Sequence, residues 1–248
     1  MKCKILYEDN HILVCHKPVG IAVQSGRVGE SDMVSELKNY LAAGGKAPYL
    51  GVIHRLDQPV SGILVFAKTQ KAAAELSRQA SGADDIAANS LMRKEYRALV
   101  YLDNETAARR IPKIGEKMLL TDYLLKDAGQ NTSRVVSEDT KDAKKAVLEL
   151  ETEEICMESA VSAAVKEQGY ARVRVRLMTG RHHQIRVQCA NEGVPLLGDT
   201  RYGSLGSRQY SMKKRIRAVA LCAWKLCFMH PVTGKKMEFE LEELPWDL

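Results

Sequence analysis

The stretch GVIHRLDQPVSGILVFA, residues 51–67, joins a polar turn to a short apolar run. Four apolar residues, Ile63 to Phe66, are bounded by turn-forming residues, which is typical of a buried strand. Asp57 lies in the turn before that strand, so the sequence predicts a carboxylate at the mouth of the strand, where a substrate can reach it. Such a carboxylate can act as a nucleophile, a general base or a metal ligand. It can also simply cap the turn or pair with Arg55, and spacing alone favours this structural interpretation.

The sequence on either side contains more strand patterns than helix patterns. Apolar runs and alternation predict further strands at residues 12–14, 94–102, 145–154, 171–177, 218–230 and 237–241. A proline turn and a second short strand are predicted within residues 17–23, and short strands joined by loops within residues 103–142. Helical spacing predicts helices at 32–43, with Ser31 as N-cap, and at about 69–79, with Thr69 as N-cap. Strands and helices do not alternate regularly, which argues against a doubly wound parallel sheet. We expect an α+β fold in which residues 1–248 form a single domain on a large mixed, mainly antiparallel sheet with flanking helices.

The composition is that of an ordinary globular protein. The chain has 248 residues, 45% of them hydrophobic, and its 37 Lys and Arg against 31 Asp and Glu give a net charge of +6. No apolar stretch approaches the roughly 18 residues that a membrane-spanning helix needs. Glu8 and Asp9 come too early for a signal peptide. We therefore expect a cytoplasmic protein without a membrane partner.

Neither a metal site nor a nucleotide cofactor is expected. The six cysteines are scattered and form no Cys-x-x-Cys pair, which is typical of reduced, mostly buried thiols. His182 and His183 are adjacent rather than spaced as ligands on one helix face. No glycine-rich phosphate-binding loop follows a predicted strand.

A second informative segment is RLMTGRHHQIRV, residues 176–187. A helix is predicted over residues 180–191, and Gly180 at its start would leave backbone N–H groups open to an anion. Three side-chain donors follow: Arg181, Gln184 and Arg186. Together with Asp57, they suggest a charge-assisted pair between an arginine and a carboxylate. The alternative is an ordinary capped surface helix.

Basic residues cluster in two places. Five arginines lie within residues 172–186, and five arginines or lysines lie within residues 208–217. Such clusters suit a polyanion, because each phosphate contact releases condensed counterions. A solvated charged face explains the charge equally well.

Six motifs, taken in order, resemble those of the RluA-type pseudouridine synthase family. They are ILYEDNHILVCHKPVG (5–20), HRLD (54–57) followed by Ser61 and Gly62, KEYRA (94–98), TGRHHQIRV (179–187), GDTRYG (198–203) and HPVTG (230–234). The second, third and fourth are similar to the catalytic, tyrosine and arginine motifs of the family. The resemblance covers nearly the whole chain, and the ordered set is highly specific, whereas one Arg-Leu-Asp alone would be weak.

The resemblance implies the pseudouridine synthase fold and an isomerase that converts a uridine in structured ribosomal or transfer RNA to pseudouridine. The family breaks the N-glycosidic bond, rotates the uracil and rejoins it through C5, without a cofactor or a metal. Asp57 matches the essential aspartate, Tyr96 the tyrosine that stacks on the target base, and Arg181 the arginine that pairs with the aspartate. A free phenol has a pKa of about 10, so stacking suits Tyr96 better than removal of the C5 proton.

The resemblance also implies RNA-binding roles. Arg55 matches the side chain that fills the place of the uridine, which must leave its stack. Leu177 and Ile185 would form apolar walls beside the base or serve core packing alone, and Gln184 and Arg186 would bind substrate. The chain begins at the first motif, so we expect no separate N-terminal RNA-binding domain. The lack of an obvious coiled coil favours a monomer.

Three positions depart from the usual family pattern. Val60 and His182 replace threonine, and Gln188 replaces histidine, which puts RNA preference rather than catalysis in question. Two other functions stay open. One is an RNA-binding or RNA-chaperone relative without catalysis. The other is a glycoside- or nucleoside-cleaving enzyme, which would need a second carboxylate roughly 5 to 10 Å from Asp57, and none stands out in the motifs.

Overall fold

A computed structural model describes residues 3–26, 29–42, 48–81, 91–103, 108–158 and 167–246. The chain divides into two compact units. The first is built from Met1–Lys94 and Cys222–Pro245, and the second from Glu95–Leu221 and Trp246–Leu248.

Eleven strands and four helices lie within the described residues. In chain order the strands are β1 (Lys4–Glu8), β2 (Ile12–Lys17), β3 (Gly51–Val52), β4 (Ser61–Ala67), β5 (Arg93–Leu102), β6 (Lys117–Asp127), β7 (Thr132–Val136), β8 (Lys144–Glu158), β9 (Gln168–Leu177), β10 (Leu221–Met229) and β11 (Lys236–Glu240). The helices are α1 (Met33–Leu41), α2 (Gln70–Ser81), α3 (Gln184–Asn191) and α4 (Leu205–Lys213). The strands predicted at 12–14, 63–66, 94–102, 145–154, 171–177, 218–230 and 237–241 are present, with bounds that differ by a few residues. The short strand predicted after the Pro18 turn is absent, because only Ala22 makes an isolated bridge there, to Asp32.

Strand β4 lies at the centre of the strands of the first unit. It pairs antiparallel with β2 and β3 and parallel with β10, while β1 pairs with β2 and β11 with β10. All seven residues of β4 are buried. A strand that is covered on both faces must be apolar throughout, which explains the continuous run from Ile63 to Phe66. Ile63 and Val65 belong to a core cluster that also contains Leu76 of α2 and Phe228 of β10.

The two predicted helix caps have different outcomes. Thr69 caps α2 as expected, because its hydroxyl oxygen accepts the N–H of Ala72 at 3.2 Å. The prediction of Ser31 as the cap of α1 is wrong by one residue. Asp32 is the cap, and its carboxylate accepts the N–H groups of Ser35 at 2.7 Å and Ser25 at 2.6 Å. The helix dipole also stabilises the negative charge of a carboxylate at the helix N-terminus, and it stabilises a neutral hydroxyl less.

The HPVTG turn between β10 and β11 has a structural role. His230 Nε2 lies 2.9 Å from Asp9 Oδ2, and His230 Nδ1 accepts the N–H of Thr233 at 3.1 Å. Asp9 in turn accepts the N–H groups of His11 and Ile12. These bonds join the β10–β11 turn to the β1–β2 turn within the first unit.

In the second unit the strands follow the order β5, β9, β8, β6, β7 and pair antiparallel throughout. Residues of β9 alternate between the core and the outer face, so Val173 and Val175 are buried and Arg172 and Arg174 are not. Among the described strand pairs, only β4 and β10 run parallel. The predicted α+β fold with mixed, mainly antiparallel pairing is confirmed.

Candidate active site

Asp57 lies in the first unit, on the short turn that leads into β4. The N–H of Val60 donates to the carbonyl oxygen of Asp57 at 3.0 Å, which closes the turn. Leu56 points into the core, Asp57 is half-buried and Arg55 is exposed. Gly62 lets the turn enter the sheet here, because a Cβ at its φ of +139° would lie 2.5 Å from the backbone of Ala223 on β10. The close approach of the two strands therefore determines where the carboxylate emerges.

A buried lysine fixes the backbone of this turn. The Lys17 ammonium is fully enclosed and donates to the carbonyl oxygens of Ile21 at 2.7 Å, Pro18 at 3.0 Å and Gln58 at 3.2 Å. Burial lowers the pKa of Lys17 to about 8, while the negative charge of Asp57 acts in the opposite direction. The N–H of Gly20 also donates to Gln58 O at 2.9 Å. The opening motif thus holds the residue that follows Asp57.

Lys17 was not predicted as a site residue, although a signal was present. It is the last residue of β2, two positions after the apolar run Ile12–Cys15, and it is buried like most of that strand. A buried lysine needs partners for its charge. Those partners are carbonyl oxygens from distant turns, which no spacing rule identifies.

His54 is buried beside the same turn without a hydrogen-bonding partner among the described residues. Neither Nδ1 nor Nε2 has one. Burial, with the positive charge of Lys94 nearby, lowers the pKa of His54 to about 3. The imidazole is therefore neutral at physiological pH.

Tyr96 and Arg181 lie in the second unit. Tyr96 is on β5 opposite Val175 of β9, and only about 6% of it is exposed. Arg181 follows β9 and is half-buried, and its Nε donates to the carbonyl oxygen of Lys145 at 2.8 Å. Its guanidinium is thereby oriented from the first residues of β8.

The loop that carries Arg181 is anchored by Gln184. The Gln184 side-chain oxygen accepts the N–H of Arg181 at 3.0 Å and the hydroxyl of Thr179 at 2.8 Å. Its amide nitrogen donates to the carbonyl oxygen of Val147 at 3.1 Å. In this structure Gln184 is buried and its polar atoms bind the protein itself.

The helix predicted from residue 180 begins at Gln184 instead. His183 adopts a left-handed conformation, with φ of 54°, and a helix cannot continue through such a residue. The N–H of Arg181, expected to be open to an anion, donates to Gln184. The prediction of the helix start is wrong because the loop bonds inward.

Arg186 is held in a buried ion pair. Its guanidinium makes two bonds to Asp199, at 2.7 and 2.9 Å, and lies 5.1 Å from the centre of the Tyr202 ring. The Tyr202 hydroxyl accepts the N–H of Ser133 at 2.8 Å and lies 2.7 Å from His183 Nδ1. The GDTRYG motif is therefore a clamp on the arginine loop, and in this structure Arg186 is not exposed.

The two predicted apolar wall residues flank the same loop. Leu177 ends β9 opposite Leu148 of β8 and is half-buried, whereas Ile185 is buried on α3. The second unit thus brings Leu177, Arg181, Gln184, Ile185 and Arg186 together at the junction of β9 and α3. Asp57 and Arg55 are placed together in the first unit.

Most of the arginines of β9 are neutralised. Arg172 pairs with Glu154 at 3.2 Å, and Arg174 pairs with Glu153 at 2.9 Å, both across to β8. Arg97 of β5 also pairs with Glu153, at 3.1 Å. This part of the basic stretch is a charged sheet face with glutamate partners, so it adds little attraction for a polyanion.

Within the part of the chain that the structure describes, no three His, Cys, Asp or Glu side chains come together as a possible metal site. None of the described helices is long and apolar enough to cross a membrane.

The order and geometry of these motifs agree with a comparison against known families. The family model for RNA pseudouridylate synthase matches residues 11–191. The chain belongs to this family. Among similar pseudouridine synthases, ribosomal large subunit pseudouridine synthase D of Vibrio cholerae is 32% identical over 245 residues, covering 95% of this chain and 65% of that protein. YhcT of Bacillus subtilis, named an uncharacterized RNA pseudouridine synthase, is 32% identical over 238 residues, covering 93% of this chain and 65% of that protein.

The chain spans about two thirds of the length of these relatives, 65% in both cases. Human RNA Pseudouridylate Synthase Domain Containing 1 has a similar solved structure. The TM-score is 0.68 at 19% identity, over 97% of this chain and 83% of the human chain. This likeness supports the pseudouridine synthase fold.

The three departures of this chain from the usual family pattern have defined surroundings. Val60 is buried behind the turn. Gln188 donates to Asp122 at 2.7 Å. His182 lies 2.9 Å from Ser133 Oγ through Nδ1 and 3.1 Å from Asn131 Oδ1 through Nε2. His182 thereby joins the arginine loop to the turn between β6 and β7.

Proposed function

We propose that the protein isomerises a uridine in RNA to pseudouridine, with Asp57 as the essential carboxylate. The N1–C1′ bond breaks, the uracil rotates, a C5–C1′ bond forms, and the hydrogen on C5 leaves as a proton while N1 gains one. The product has the same atoms and oxidation state as the substrate. The reaction therefore requires no redox cofactor and no co-substrate, and we assign it no metal.

The observation that carries this proposal is the position of the Asp57 carboxylate. A half-buried carboxylate stands on a short turn whose next residue, Gln58, is bound by the buried Lys17 ammonium. Three routes are chemically open to it: attack on C1′, addition to C6 and removal of the C2′ proton. Each requires a rigidly placed carboxylate, and the bonds from the Lys17 ammonium to the carbonyl oxygens around the turn favour that placement.

The other roles follow the family motifs. Tyr96 stacks on the target base, and Arg181 pairs with Asp57. Arg55, which is exposed beside Asp57, fills the place of the flipped uridine. Leu177 and Ile185 form the apolar walls beside the base. We assign Gln184 and Arg186 an indirect role in substrate binding, because their side chains hold the arginine loop.

We infer ribosomal RNA of the large subunit as the substrate class and the cytoplasm as the location. The support is that the relatives with similar sequences include ribosomal large subunit pseudouridine synthases. We also infer a monomer, since the sequence contains no obvious coiled coil. Transfer RNA is the competing substrate.

Tritium release from RNA labelled with [5-³H]uridine tests the proposal. The RNA is isolated from cells that lack this gene, so that its target uridine is unmodified. Wild type and an Asp139→Asn control, which changes an exposed aspartate, should release tritium to water. Asp57→Asn should bind the RNA and release none. Binding without release by wild type would support the RNA-chaperone function instead, and free uracil as product would support a nucleoside-cleaving enzyme.

A further inference from the structure

One segment of the second unit has a charge that the proposed site does not use. Residues 200–217 contain six arginines and lysines and no aspartate or glutamate. They are Arg201, Arg208, Lys213, Lys214, Arg215 and Arg217. The segment begins inside the clamp on the arginine loop and continues through α4 to the turn that follows it. We refer to residues 200–217 as the cationic segment.

The two lysines of the segment have a structural role. Lys213 and Lys214 each lie 2.7 Å from the carboxylate of Glu158 at the end of β8. The hydroxyl of Tyr210 donates to the same carboxylate at 3.2 Å. These partners hold the pKa of Glu158 at about 2, so the carboxylate stays ionised. Glu158 thus fixes the C-terminal end of α4 and offsets part of the charge of the lysines.

Three arginines of the same segment have no such partner. Arg208, Arg215 and Arg217 are exposed, and none makes an ion pair with a described residue at the distances that define the pairs above. Arg201, also exposed, donates to the carbonyl oxygens of Gln130 and Asn131. Within the residues that the structure describes, these three arginines therefore present positive charge to solvent without an acidic partner.

The position of Arg215 is unusual for an arginine. The N–H of Ile216 donates to Ser211 O at 2.9 Å, and the N–H of Arg215 donates to Met212 O at 3.0 Å. This pair of hydrogen bonds is the pattern by which a helix ends with a residue in the left-handed conformation, and that residue is usually glycine. Arg215 occupies that place with φ of +58°. An arginine in this conformation costs backbone energy that a glycine would not, which is consistent with a use for its side chain.

The outer face of α4 is also apolar in two places. Leu205 is 74% exposed and Met212 is 71% exposed. The two residues are seven positions apart, so they lie on the same face of α4 as Arg208. Cations flanked by flexible apolar side chains can bind backbone phosphates and contact sugars or base faces at the same time. An acidic protein surface and a phosphate backbone would both match this positive charge. A run without any acidic residue fits a phosphate backbone more directly than it fits an acidic protein surface.

We propose that the cationic segment is a second RNA-docking surface, on which Arg208, Arg215 and Arg217 bind phosphates of the substrate RNA away from the modified nucleotide. The inference rests on the proposed function for the identity of the RNA. The surface is continuous along the chain with the clamp that holds the Arg181 loop, so one RNA can occupy both. Its role is affinity and orientation, while the chemistry stays at Asp57.

The test compares two variants with the same change in charge. The first is Arg208→Gln/Arg215→Gly/Arg217→Gln. The matched control is Lys38→Gln/Lys71→Gln/Lys235→Gln, which removes three exposed lysines of the first unit. Filter binding measures the affinity of each for deproteinised large-subunit ribosomal RNA at several KCl concentrations. Tritium release at saturating RNA gives kcat.

We expect the arginine variant to bind at least about tenfold more weakly than wild type at 0.1 M KCl. Three lost phosphate contacts should reduce the slope of log affinity against log salt concentration by about 2 to 3. The control should keep the slope of wild type, and both variants should keep kcat. Equal slopes and affinities for the two variants would overturn the proposal. So would tighter binding of wild type to polyglutamate or to phosphatidylglycerol vesicles than to the RNA.

The single variant Arg215→Gly separates binding from folding. Glycine is the preferred residue at this helix end, so the urea midpoint should be unchanged or higher, while the RNA affinity falls. A lower midpoint with unchanged affinity would make Arg215 structural and overturn its assignment. Absence of tritium release by wild type would refute the proposed function, whereas the salt slopes would still decide whether the cationic segment binds RNA.

Discussion

Replacing Lys17 by methionine tests whether the buried ammonium positions the Asp57 turn. Methionine fills a similar volume and is tolerated in cores. The substitution removes the donor to the carbonyl oxygens of Pro18, Ile21 and Gln58. Gln58 O keeps the N–H of Gly20. The other two carbonyls lose a charged donor, which costs about 1–3 kcal/mol each.

A second contribution has the opposite sign. Burial lowers the pKa of Lys17 from 10.5 to about 8, which corresponds to about 3 kcal/mol against the charged form in the folded state. Methionine removes that unfavourable contribution. The net change in free energy of unfolding therefore lies between a gain of about 1 kcal/mol and a loss of about 3 kcal/mol, and the protein should stay folded. The turn, however, loses its anchor at Gln58, and kcat should fall about 100-fold because a carboxylate misplaced by about 1 Å reacts poorly.

The pH dependence of stability and of rate gives an independent test of the role of Lys17. Between pH 8 and 10.5 the unfolded chain binds a proton at Lys17 that the folded chain has lost, so the wild-type free energy of unfolding gains a contribution that rises with pH in this window. The rate should decline above about pH 8, since the positive charge beside Asp57 disappears. Lys17→Met should show neither effect.

Urea titrations and tritium release between pH 6 and 10 measure these effects, with Lys68→Met as the control. Lys68 is a lysine of the same unit that pairs with Glu8, at 2.6 Å. Wild-type kcat in folded Lys17→Met, or a decline above pH 8 that persists in the variant, would refute the positioning role.

Three further changes have defined outcomes. His54→Phe should raise the free energy of unfolding by about 1 kcal/mol, because it removes two buried nitrogens without partners. The pKa of His54 is about 3 in the folded chain and 6.5 in the unfolded chain, so the wild-type free energy of unfolding should fall by up to about 1.4 kcal/mol per pH unit below pH 6.5. Urea titrations of His54→Phe at pH 4–7 should lack that contribution. An equal pH slope in wild type and variant would contradict a neutral His54. Tyr202→Phe removes the hydroxyl between Ser133 and His183, so we expect a loss of about 1–2 kcal/mol and a lower kcat in tritium release, and an unchanged kcat would exclude the clamp from catalysis. Gly62→Ala should cost about 2–5 kcal/mol in urea unfolding, because its Cβ meets Ala223, whereas Gly234→Ala, with φ of +68° and open space around it, should cost about 1–2; equal losses would disprove the close approach of β4 and β10.

The charge distribution shows why composition alone did not locate an RNA surface. Ten basic residues in two clusters looked equivalent in the sequence. In the fold, Arg172 and Arg174 face glutamates of β8, and Lys213 and Lys214 share Glu158. These ion pairs join residues that are 18 to 56 positions apart, from Arg172 with Glu154 between two strands to Lys214 with Glu158 between a helix end and a strand. The remaining exposed cations define the surface, and only the paired strands reveal which they are.

Local patterns were sufficient for most of the predicted strands and for the cap of α2, but not for the short strand predicted after the Pro18 turn, where the structure has only an isolated bridge at Ala22. Alternation in β9 and the apolar run in β4 depend on burial of one face or both, and this constraint acts residue by residue. Errors arose where two local solutions compete. Ser31 and Asp32 are both good caps, and the backbone of Ser25, which also bonds to Asp32, favours the second. The start of α3 moved to Gln184 because that side chain bonds back to the loop.

The sequence by itself determined the strand-rich α+β class, the ordered motifs, and the candidate residues Asp57, Tyr96 and Arg181. The fold class follows from periodicity, whereas the three candidate residues follow from the resemblance of their motifs to those of the family. Only the tertiary structure decided that Lys17 supports the Asp57 turn and that Arg186 and Gln184 bind inside the protein. It also showed that Arg208, Arg215 and Arg217 make no ion pair with an acidic residue in the described part of the chain. A buried charge is tolerated only where distant parts of the chain supply its partners, so its role is set by which turns and strands the fold brings together.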